Sequence, residues 1–513
     1  MHDGFWACGC LCRRAWRTGA SEPAGALAAQ SASEGSSQLT AQALTTGQLT
    51  TQAADTNWGL ESIFAAEAQA ASKSKSDPSK PVCVVVLDTG FYKDNQAFSS
   101  NVIETWNMVT GFSGPIYPTS AQTYDNFRTQ VKANSVVPPS KPADKINHGT
   151  HVAGIVHEVA PDAKLLLVRV ADENGDISEW ALYNAYVLIR HYASTLNIRV
   201  VNFSGGNPTD SLPTIANGLC SQISKALDEE RIVTVCSAGN TGTTGYNFPA
   251  DYDPVVSVMA LKRAGSDSYN VSRDLKSNYN ASGQKTKDIC APGNSIYSAV
   301  GTSGYGYMSG TSMAAPHVAG TLALMFAAYP DLSASDAIQR LYDTATDLGD
   351  EGWDEKTGYG EVNALAAVNG FKIEGPQVIP VSDKFPGFSP YAFTATSSLS
   401  SPTWASSNSE IVHVDNGGRV TGKAPGTAVL TVSDGSTTAK RAITVEKIDL
   451  SKLSTDPSSS QGAYKGYAIG LYYTGATYTG SAVVPADYSV CILPKGSKSR
   501  RLYQAAIGQR DPC

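Results

Sequence analysis

A nearly unbroken apolar run from Met313 to Tyr329 constrains the fold of this chain more than any other stretch. It follows the turn-like residues Gly310 and Thr311, so we expect a buried helix with Ser312 at or beside its N-cap. At the start of a helix, unpaired N–H groups and the helix dipole favour developing negative charge. A serine hydroxyl placed there is therefore a candidate nucleophile.

Two other interpretations of this run stay open on its own evidence. A serine that only caps a core helix is the usual meaning of one serine before an apolar run. A membrane span is the other interpretation, although the run is short and contains Pro316 and His317. The rest of the chain has to decide between them.

At 513 residues the chain is too long for one ordinary domain, so we expect several parts that differ in composition. We predict a low-complexity segment at 1–56, a first domain at 57–372, a second at 375–446, and a tail or truncated extracellular repeat at 447–513. A net charge of −7 gives no reason to expect nucleic acid as a partner. Cys8, Cys10 and Cys12 have no matching cluster, so we predict no metal site there.

The first domain alternates between strand-like and helix-like runs. Residues 82–87 form a continuous apolar stretch, as expected for a strand buried on both faces of a parallel sheet. Further strands are predicted at 163–170, 198–203 and 232–236, and helices at 177–193, 215–230 and 333–344. This alternation predicts an α/β fold with a mostly parallel central sheet flanked by helices. Residues 92–146 are interpreted as a loop-like surface insertion.

Polar residues follow the predicted strands at one edge of the sheet. Asp88 ends the first strand, and Asn240 closes the turn after a later one. Ligands bind at this carboxyl edge in open α/β sheets. His148 is predicted to open a helix. Asp88, His148 and Ser312 together fit a triad in which the aspartate orients the imidazole and the imidazole takes the serine proton.

Three motifs resemble those of the subtilisin-like serine peptidases, in that family's order of Asp, His and Ser. They are Val86-Leu87-Asp88-Thr89-Gly90, His148-Gly149-Thr150-His151-Val152-Ala153-Gly154 and Gly310-Thr311-Ser312-Met313-Ala314-Ala315-Pro316-His317-Val318-Ala319-Gly320. The resemblance implies Asp88 as the orienting carboxylate, His148 as general base and then acid, and Ser312 as the nucleophile. It implies Asn240 as the oxyanion-hole asparagine. The implied activity is endopeptidase cleavage of extended polypeptides through an acyl-enzyme on Ser312, with no cofactor.

The same resemblance implies a pocket for the side chain before the cleaved bond. One wall would be Ser204, Gly205 and Gly206, the other Ser237, Ala238 and Gly239, and the base 246–249. The family more often has another residue between this serine and the glycine pair. Because the walls carry no charge, we expect an apolar or broad preference.

Metal chemistry is a competing interpretation of some residues. His157-Glu158 resembles the start of an HExxH zinc motif, but Pro161 stands where the second histidine is needed. The acidic loop 172–178 lacks the later glutamate of an EF-hand and is interpreted as a turn. The resemblance allows structural calcium, but we find no ligand set for it.

The second domain resembles the bacterial Ig-like group 2 fold. The resemblance lies in 404–408, Val414, 418–422 and 426–432, and it implies a small all-β sandwich with Trp404 in its core. Such modules imply a secreted or cell-surface bacterial protein, with an extracellular ligand of the Ig-like domain as a second partner. The competing hypothesis is an inactive surface binding or adhesion protein.

The first 56 residues contain no visible signal peptide and are too few and too polar for a signal plus a folding pro-domain. Secreted members of the family usually carry both. We therefore expect the chain as written to fold poorly.

Overall fold

A computed structural model describes most of the two predicted domains. The described residues are 39–40, 57–110, 114–133, 143–172, 174–209, 211, 218–350, 352–381, 391–397, 399–447, 463–464, 467–473 and 488–494. The predicted low-complexity segment and the tail therefore fall almost wholly outside them.

The helices of the described residues are α1 Trp58–Ser62, α2 Ala65–Lys73, α3 Ala121–Ala133, α4 Ala143–Val159, α5 Glu179–Tyr192, α6 Gly218–Asp228, α7 Thr311–Ala328, α8 Ala334–Asp343 and α9 Ala364–Asn369, with a 3₁₀ turn at Ser99–Asn101. The strands up to the end of the first domain are β1 Leu39–Thr40, β2 Cys83–Asp88, β3 Val102–Asn107, β4 Lys164–Arg169, β5 Asp176–Ile177, β6 Ile198–Phe203, β7 Asn207–Thr209, β8 Val233–Ser237, β9 Tyr246–Phe248, β10 Val255–Ala264, β11 Asp267–Arg273, β12 Ile289–Pro292, β13 Ile296–Val300 and β14 Gly304–Met308. The later strands are β15 Ile373–Glu374, β16 Val378–Val381, β17 Tyr391–Ala392, β18 Thr394–Ala395, β19 Thr403–Ser406, β20 Val412–Val414, β21 Arg419–Gly422, β22 Gly426–Ser433, β23 Thr438–Lys447, β24 Ala463–Tyr464, β25 Tyr467–Tyr473 and β26 Tyr488–Pro494.

The central sheet has the strand order β11-β10-β8-β6-β2-β4-β3, with β12 also paired to β10. All of these pairs are parallel except β10 with β11. The side chains of β2 alternate between two apolar layers, Val84 and Val86 on one face and Val85 and Leu87 on the other. Helices α4 and α7 pack on the first face and α5 and α6 on the second, which confirms the predicted α/β class.

Helix α7 lies inside the first layer. It is the one described helix with the length and apolarity that a membrane span needs, and 94% of it is buried within the domain. It is therefore a core helix. Gly310 is its N-cap, and Ser312 is its second residue rather than its cap.

Two predictions about the segment before the second motif are wrong. Residues 92–146 are not merely loop-like, because β3 joins the central sheet beside β4, and α3 packs against β3. Because prolines are frequent in this segment, the sequence indicated a loop where the short strand β3, rich in β-branched residues, forms. Helix α4 begins at Ala143, so His148 lies inside the helix rather than opening it. The predicted helix at 333–344 is confirmed, with Ser333 as its N-cap.

The second domain contains two facing sheets, β16-β23-β22-β19 and β17-β21-β20. A separate apolar cluster fills it, including Val412, Leu430 and Ile443. These features confirm the small all-β sandwich. Trp404 is only partly buried at the edge of this cluster, so its predicted place in the core is wrong.

Candidate active site

The Asp88 carboxylate and the His148 imidazole form a buried pair at the carboxyl edge of the sheet. Asp88 is the last residue of β2, and its Oδ1 lies 2.7 Å from Nδ1 of His148. The same oxygen accepts the N–H of Thr89 at 2.7 Å and its hydroxyl at 3.1 Å. Because these donors hold the carboxylate, the histidine ring is held in turn, with Nε2 facing away from Asp88.

The environment of this pair changes the basicity of the ring. Burial alone lowers the pKa of the His148 imidazole, but the charge of Asp88 and its hydrogen bond act in the opposite direction. The net result is a pKa above the usual 6.5. Nε2 of His148 is buried and makes no hydrogen bond with any described residue. It is therefore placed to take a proton from a group brought next to it.

Helix α4 reaches this pair only because residue 149 is a glycine. A Cβ on Gly149 would lie 2.3 Å from the carbonyl oxygen of Gly90 and 3.0 Å from Cβ of Asp88. The first distance is shorter than real Cβ contacts allow, and the second is tighter than most of them. The His-Gly step of the second motif therefore lets the helix lie directly on the Asp88 turn.

Ser312 is tied to the end of the neighbouring strand β6. Its Oγ donates to the carbonyl oxygen of Ser204 at 3.3 Å, and Oγ of Ser204 donates to the Ser312 carbonyl at 2.8 Å. Asn202 donates to Oγ of Ser204 at 3.1 Å. The hydroxyl of Ser312 thus points to Ser204 in this structure rather than to His148. A change in χ1 is enough to redirect a serine hydroxyl, and such bonds often tighten only with substrate.

The sheet register brings the two sets of residues side by side. Strands β2 and β6 are parallel neighbours, with Leu87 opposite Phe203. Asp88 and Ser204 are the next residue on each strand, so they occupy adjacent strand ends. Helices α4 and α7, which carry His148 and Ser312, pack against each other, and α4 also contacts β2 while α7 contacts β6.

Asn240 is oriented by the residue before Ser312. Its Oδ1 accepts the backbone N–H of Thr311 at 2.8 Å and the Thr311 hydroxyl at 2.9 Å. Oγ1 of Thr311 also accepts the N–H of Gly239 at 3.2 Å. Because the side-chain carbonyl oxygen of Asn240 faces the start of α7, the NH₂ group of the same amide points in the opposite direction. Sequence reasoning missed Thr311, whose only signal was its place in the third motif.

The residues predicted to line the substrate pocket lie on two segments at the same edge. Ser204, Gly205 and Gly206 follow β6. Ser237 is the last residue of β8, the next strand in the sheet, and Ala238 and Gly239 follow it. All six residues are buried. The predicted base, 246–249, contains β9, which pairs antiparallel with β7 immediately after Gly206.

The other histidines near the site serve packing. Nε2 of His151 lies 3.0 and 3.1 Å from the carbonyl oxygens of Ile296 and Gly306, and Nδ1 of His317 lies 2.8 Å from the carbonyl of Met313. Burial lowers the pKa of His151 to about 3 and that of His317 to about 4. Both rings are therefore neutral at physiological pH, and neither belongs to the proton-transfer set.

The described residues contain no group of three or more His, Cys, Asp or Glu side chains placed to hold a metal ion. In the acidic loop, Oδ1 of Asp172 accepts the N–H groups of Asn174 at 2.7 Å and Asp176 at 3.0 Å. This carboxylate closes a turn with its own backbone, as the sequence predicted.

Comparison with known proteins supplies independent evidence. The family model described as the subtilase family matches residues 79–360, and the model for the bacterial Ig-like domain (group 2) matches 388–445. Subtilisin DY of Bacillus licheniformis is 34% identical over 260 residues, covering 48% of this chain and 86% of that protein. Thermitase of Thermoactinomyces vulgaris is 31% identical over 298 residues, covering 56% and 88%. Subtilisin E of Bacillus subtilis (strain 168) is 33% identical over 237 residues, covering 44% and 56%.

Proposed function

Because this chain belongs to the subtilase family of serine peptidases and carries a bacterial Ig-like domain, we propose that it cleaves polypeptides through an acyl-enzyme on Ser312. It is a serine endopeptidase, and its substrates are polypeptides. Subtilases need no cofactor for catalysis. We further propose that Asp88, His148, Ser312 and Asn240 carry out the chemistry, in the roles that their geometry supports.

In the proposed first step, Oγ of Ser312 attacks the carbonyl carbon of the scissile peptide bond. Nε2 of His148 takes the serine proton, and Asp88 stabilises the imidazolium through the bond at Nδ1. The carbonyl oxygen becomes an oxyanion, which accepts hydrogen bonds from the Asn240 amide and the N–H of Ser312. The start of α7 adds the favourable end of a helix dipole.

The tetrahedral intermediate then collapses. The C–N bond breaks, and the proton on His148 passes to the departing amine, leaving an ester on Ser312. Water enters, gives a proton to His148 and attacks the ester carbon. The C–O bond to Ser312 breaks, the proton returns to Oγ, and the carboxylic product leaves. The peptide and one water molecule are the only reactants consumed, and Ser312 and His148 return to their starting protonation states.

The observation that carries this proposal is the buried Asp88–His148 pair, 2.7 Å apart, with Nε2 of His148 left for proton transfer. An aspartate that only closes a turn and a histidine that only packs in the core would have no reason to form this buried hydrogen bond. The contact therefore favours catalysis over the alternative of an inactive binding protein.

A fluorophosphonate probe tests the assignment, since it phosphonylates only an activated serine. We expect stoichiometric labelling of the folded chain and its loss in Ser312→Ala. Ser303→Ala removes an exposed serine and serves as the matched control, which should label normally. Folded wild-type protein that takes up no label would instead support the binding or adhesion protein.

The place of action and the second partner belong to the same proposal. We propose that the protein acts outside the bacterial cell or on its surface, where the Ig-like domain would meet an extracellular ligand. What supports this is the match to the bacterial Ig-like domain at 388–445. Fractionation of the producing bacterium, with labelled Ser312 as the marker, tests it. Label confined to the cytoplasmic fraction would reject it.

A further inference from the structure

We propose that the short helix α1 positions the start of the nucleophile helix α7 from behind, with Trp58 and Gly59 as positioning residues. The inference rests on the proposed function, because it takes Ser312 as the nucleophile and Asn240 as the oxyanion donor. Trp58 and Gly59 act only through the residues that lie between them and Ser312. Both lie before residue 79, where the match to the subtilase family begins, so that match assigns them no role.

Trp58 ties α1 to the turn that follows β12. Its indole is 1% exposed, and the indole N–H donates to the carbonyl oxygen of Asn294 at 3.1 Å. The central sheet holds the same turn, because the N–H groups of Gly293 and Asn294 donate to the carbonyl oxygen of Leu261 in β10 at 2.9 and 3.0 Å. The 293–294 turn is thus fixed between the N-terminal helix and the sheet.

This turn in turn holds the first residue of the nucleophile segment. Gly310, the N-cap of α7, donates its N–H to the carbonyl oxygen of Gly293 at 2.7 Å. A Cβ on Gly293 would lie 2.8 Å from the Gly310 carbonyl oxygen, so the two backbones are in direct contact. Thr311 and Ser312 follow, and Thr311 holds the amide of Asn240. A shift of the 293–294 turn would therefore displace the nucleophile and the oxyanion donor together.

Gly59 gives α1 a second contact, with α7 itself. A Cβ on Gly59 would lie 2.6 Å from Nε2 of His317 and 3.0 Å from Cβ of Pro292. The His317 ring is buried, and its Nδ1 lies 2.8 Å from the carbonyl oxygen of Met313, the residue after Ser312. Because the interior is close-packed, a methyl group at position 59 has to push aside either this ring or α1. Either movement reaches the start of α7, directly through the ring or by way of the indole bond.

Other bonds fix α1 to parts of the domain away from the 293–294 turn. Nδ2 of Asn57, the N-cap of α1, donates to the carbonyl oxygen of Tyr297 at 3.0 Å and to Glu158 at 2.9 Å. The hydroxyl of Ser62 donates to Glu361. Helix α1 is therefore held by β13, by α4 and by the segment before α9. A support fixed in this way keeps the donors at the start of α7 in place before charge develops on the substrate.

The test is steady-state kinetics of Gly59→Ala and Trp58→Phe on one peptide amide. Rates are expressed per site that fluorophosphonate labels at completion, so that misfolded protein does not count. Trp58→Phe keeps an aromatic ring but lacks the N–H donor. We expect kcat per site to fall by about 10-fold or more in Gly59→Ala and by at least about 3-fold in Trp58→Phe, with KM within about 2-fold of the wild type.

The matched control is Gly114→Ala. A Cβ on Gly114 meets no atom within 4 Å, so the same substitution adds a methyl group without a new contact. We expect its kcat and KM to equal those of the wild type. If Gly59→Ala gives no labelled protein, Trp58→Phe decides the question alone.

A second measurement separates positioning from stability. A peptide aldehyde adds to an active serine and places its oxygen where the oxyanion forms, so its inhibition constant reports the preorganised site. We expect this constant to rise by about the same factor as kcat falls in each variant. Inhibition by the corresponding peptide acid, which needs no such addition, should stay unchanged. A helix that only stabilised the fold would alter neither value per labelled site.

The failures of the two proposals can be told apart. If the α1 variants label less protein but keep the wild-type kcat per site and aldehyde affinity, α1 is only structural. That result overturns the positioning role and leaves the peptidase assignment intact, as would variants that raise KM alone. A folded wild type that takes up no label overturns the proposed function and this inference with it.

Discussion

Two side chains of the site owe their orientation to a neighbour that takes no part in bond making. Asp88 fixes the ring of His148, and Thr311 fixes the amide of Asn240 with two donors at 2.8 and 2.9 Å. Preorganised donors are effective because they need no reorganisation as charge develops. An amide free to rotate would lose part of that advantage.

We therefore expect Thr311→Val to reduce kcat by about 10-fold with little change in KM, because the backbone N–H still holds Asn240 while the hydroxyl bond is lost. Asn240→Ala should cost about 10² to 10³ in kcat, the loss known for this donor in subtilisin itself. Steady-state kinetics on one peptide gives both values. Thr311→Ser keeps the hydroxyl and should keep most of the rate. A Thr311→Val enzyme as active as the wild type would show that the backbone bond alone is sufficient.

The raised pKa of His148 predicts the acid side of the pH profile. The ring must be neutral to accept a proton, so kcat/KM should fall as pH drops through its pKa, with a midpoint above 6.5. Asp88→Asn removes the charge that raises this pKa, so any residual activity should have a lower midpoint. The measurement is kcat/KM from pH 5 to 9 at constant ionic strength. A flat profile across this range would exclude His148 as the base.

At the residue scale, short motifs were enough to select the candidate catalytic residues, and the substrate preference stays a prediction. Asp88, His148 and Ser312 could be singled out because short motifs put the right residue types at strand and helix ends. The buried ion pair of Asp251 and Lys287 carried no such signal. A buried ion pair between residues 36 positions apart is visible only when the loops fold together.

At the element scale, helix α1 lies against two carboxyl groups of the domain, of which that of Glu361 is buried and that of Glu158 partly buried. Nδ2 of Asn57, the N-cap of α1, donates to Glu158 at 2.9 Å, and the Ser62 hydroxyl donates to Glu361. Burial raises the pKa of Glu158 and of Glu361 to about 8 each. Both carboxyl groups are therefore largely protonated in the folded protein at neutral pH.

These raised pKa values predict that stability falls as pH rises from about 4.5 to about 8. Between about 4.5 and 8 the folded protein holds protons that the unfolded chain has released, so the free energy of unfolding falls as pH rises through this window. Glu361→Gln cannot ionise and keeps an acceptor for Ser62. Its melting temperature should fall less than that of the wild type between pH 5 and 9.

Thermal unfolding of fluorophosphonate-inhibited protein measures this effect without self-digestion. Glu158→Gln should behave like Glu361→Gln, and Glu410→Gln, at an exposed position, is the control. If the melting temperatures of Glu361→Gln and the wild type fell equally between pH 5 and 9, these carboxyl groups would not be the cause of the pH dependence of stability.

The elements that sequence analysis found are those with strong periodicity, such as β2, β6 and α7. It missed β3 and α3 because prolines at 115, 118, 138, 139 and 142 dominate that segment. Strand β3 is at the edge of the sheet and needs the exposed side of β4 to form. The β-strand pattern in the six residues of β3 is too weak to be recognised among the loop-like residues around them.

At the scale of the whole molecule, the Ig-like domain packs against the peptidase domain. Strands β22 and β23 contact β11, and β23 also contacts α9. Nδ2 of Asn363 donates to the Lys440 carbonyl at 3.0 Å, and Nδ2 of Asn369 donates to the Thr438 carbonyl at 2.9 Å. Val429 of β22 belongs to the same apolar cluster as the peptidase core. The interface thus joins two separate cores through directional bonds and apolar contact.

We therefore expect the two domains to unfold together. Calorimetry of the inhibited protein should show one cooperative transition, since opening the interface exposes Val429 and unpairs the two asparagine donors. Val429→Asp places a charge against the peptidase core and should split this into two transitions, the sandwich melting first. His413→Asp, at an exposed position of β20, adds the same charge away from the interface and should keep one transition. Two transitions already present in the wild type would mean that the contact is too weak to couple the domains. In that case the Ig-like domain would behave as an independent module whose loss leaves the stability of the peptidase unchanged.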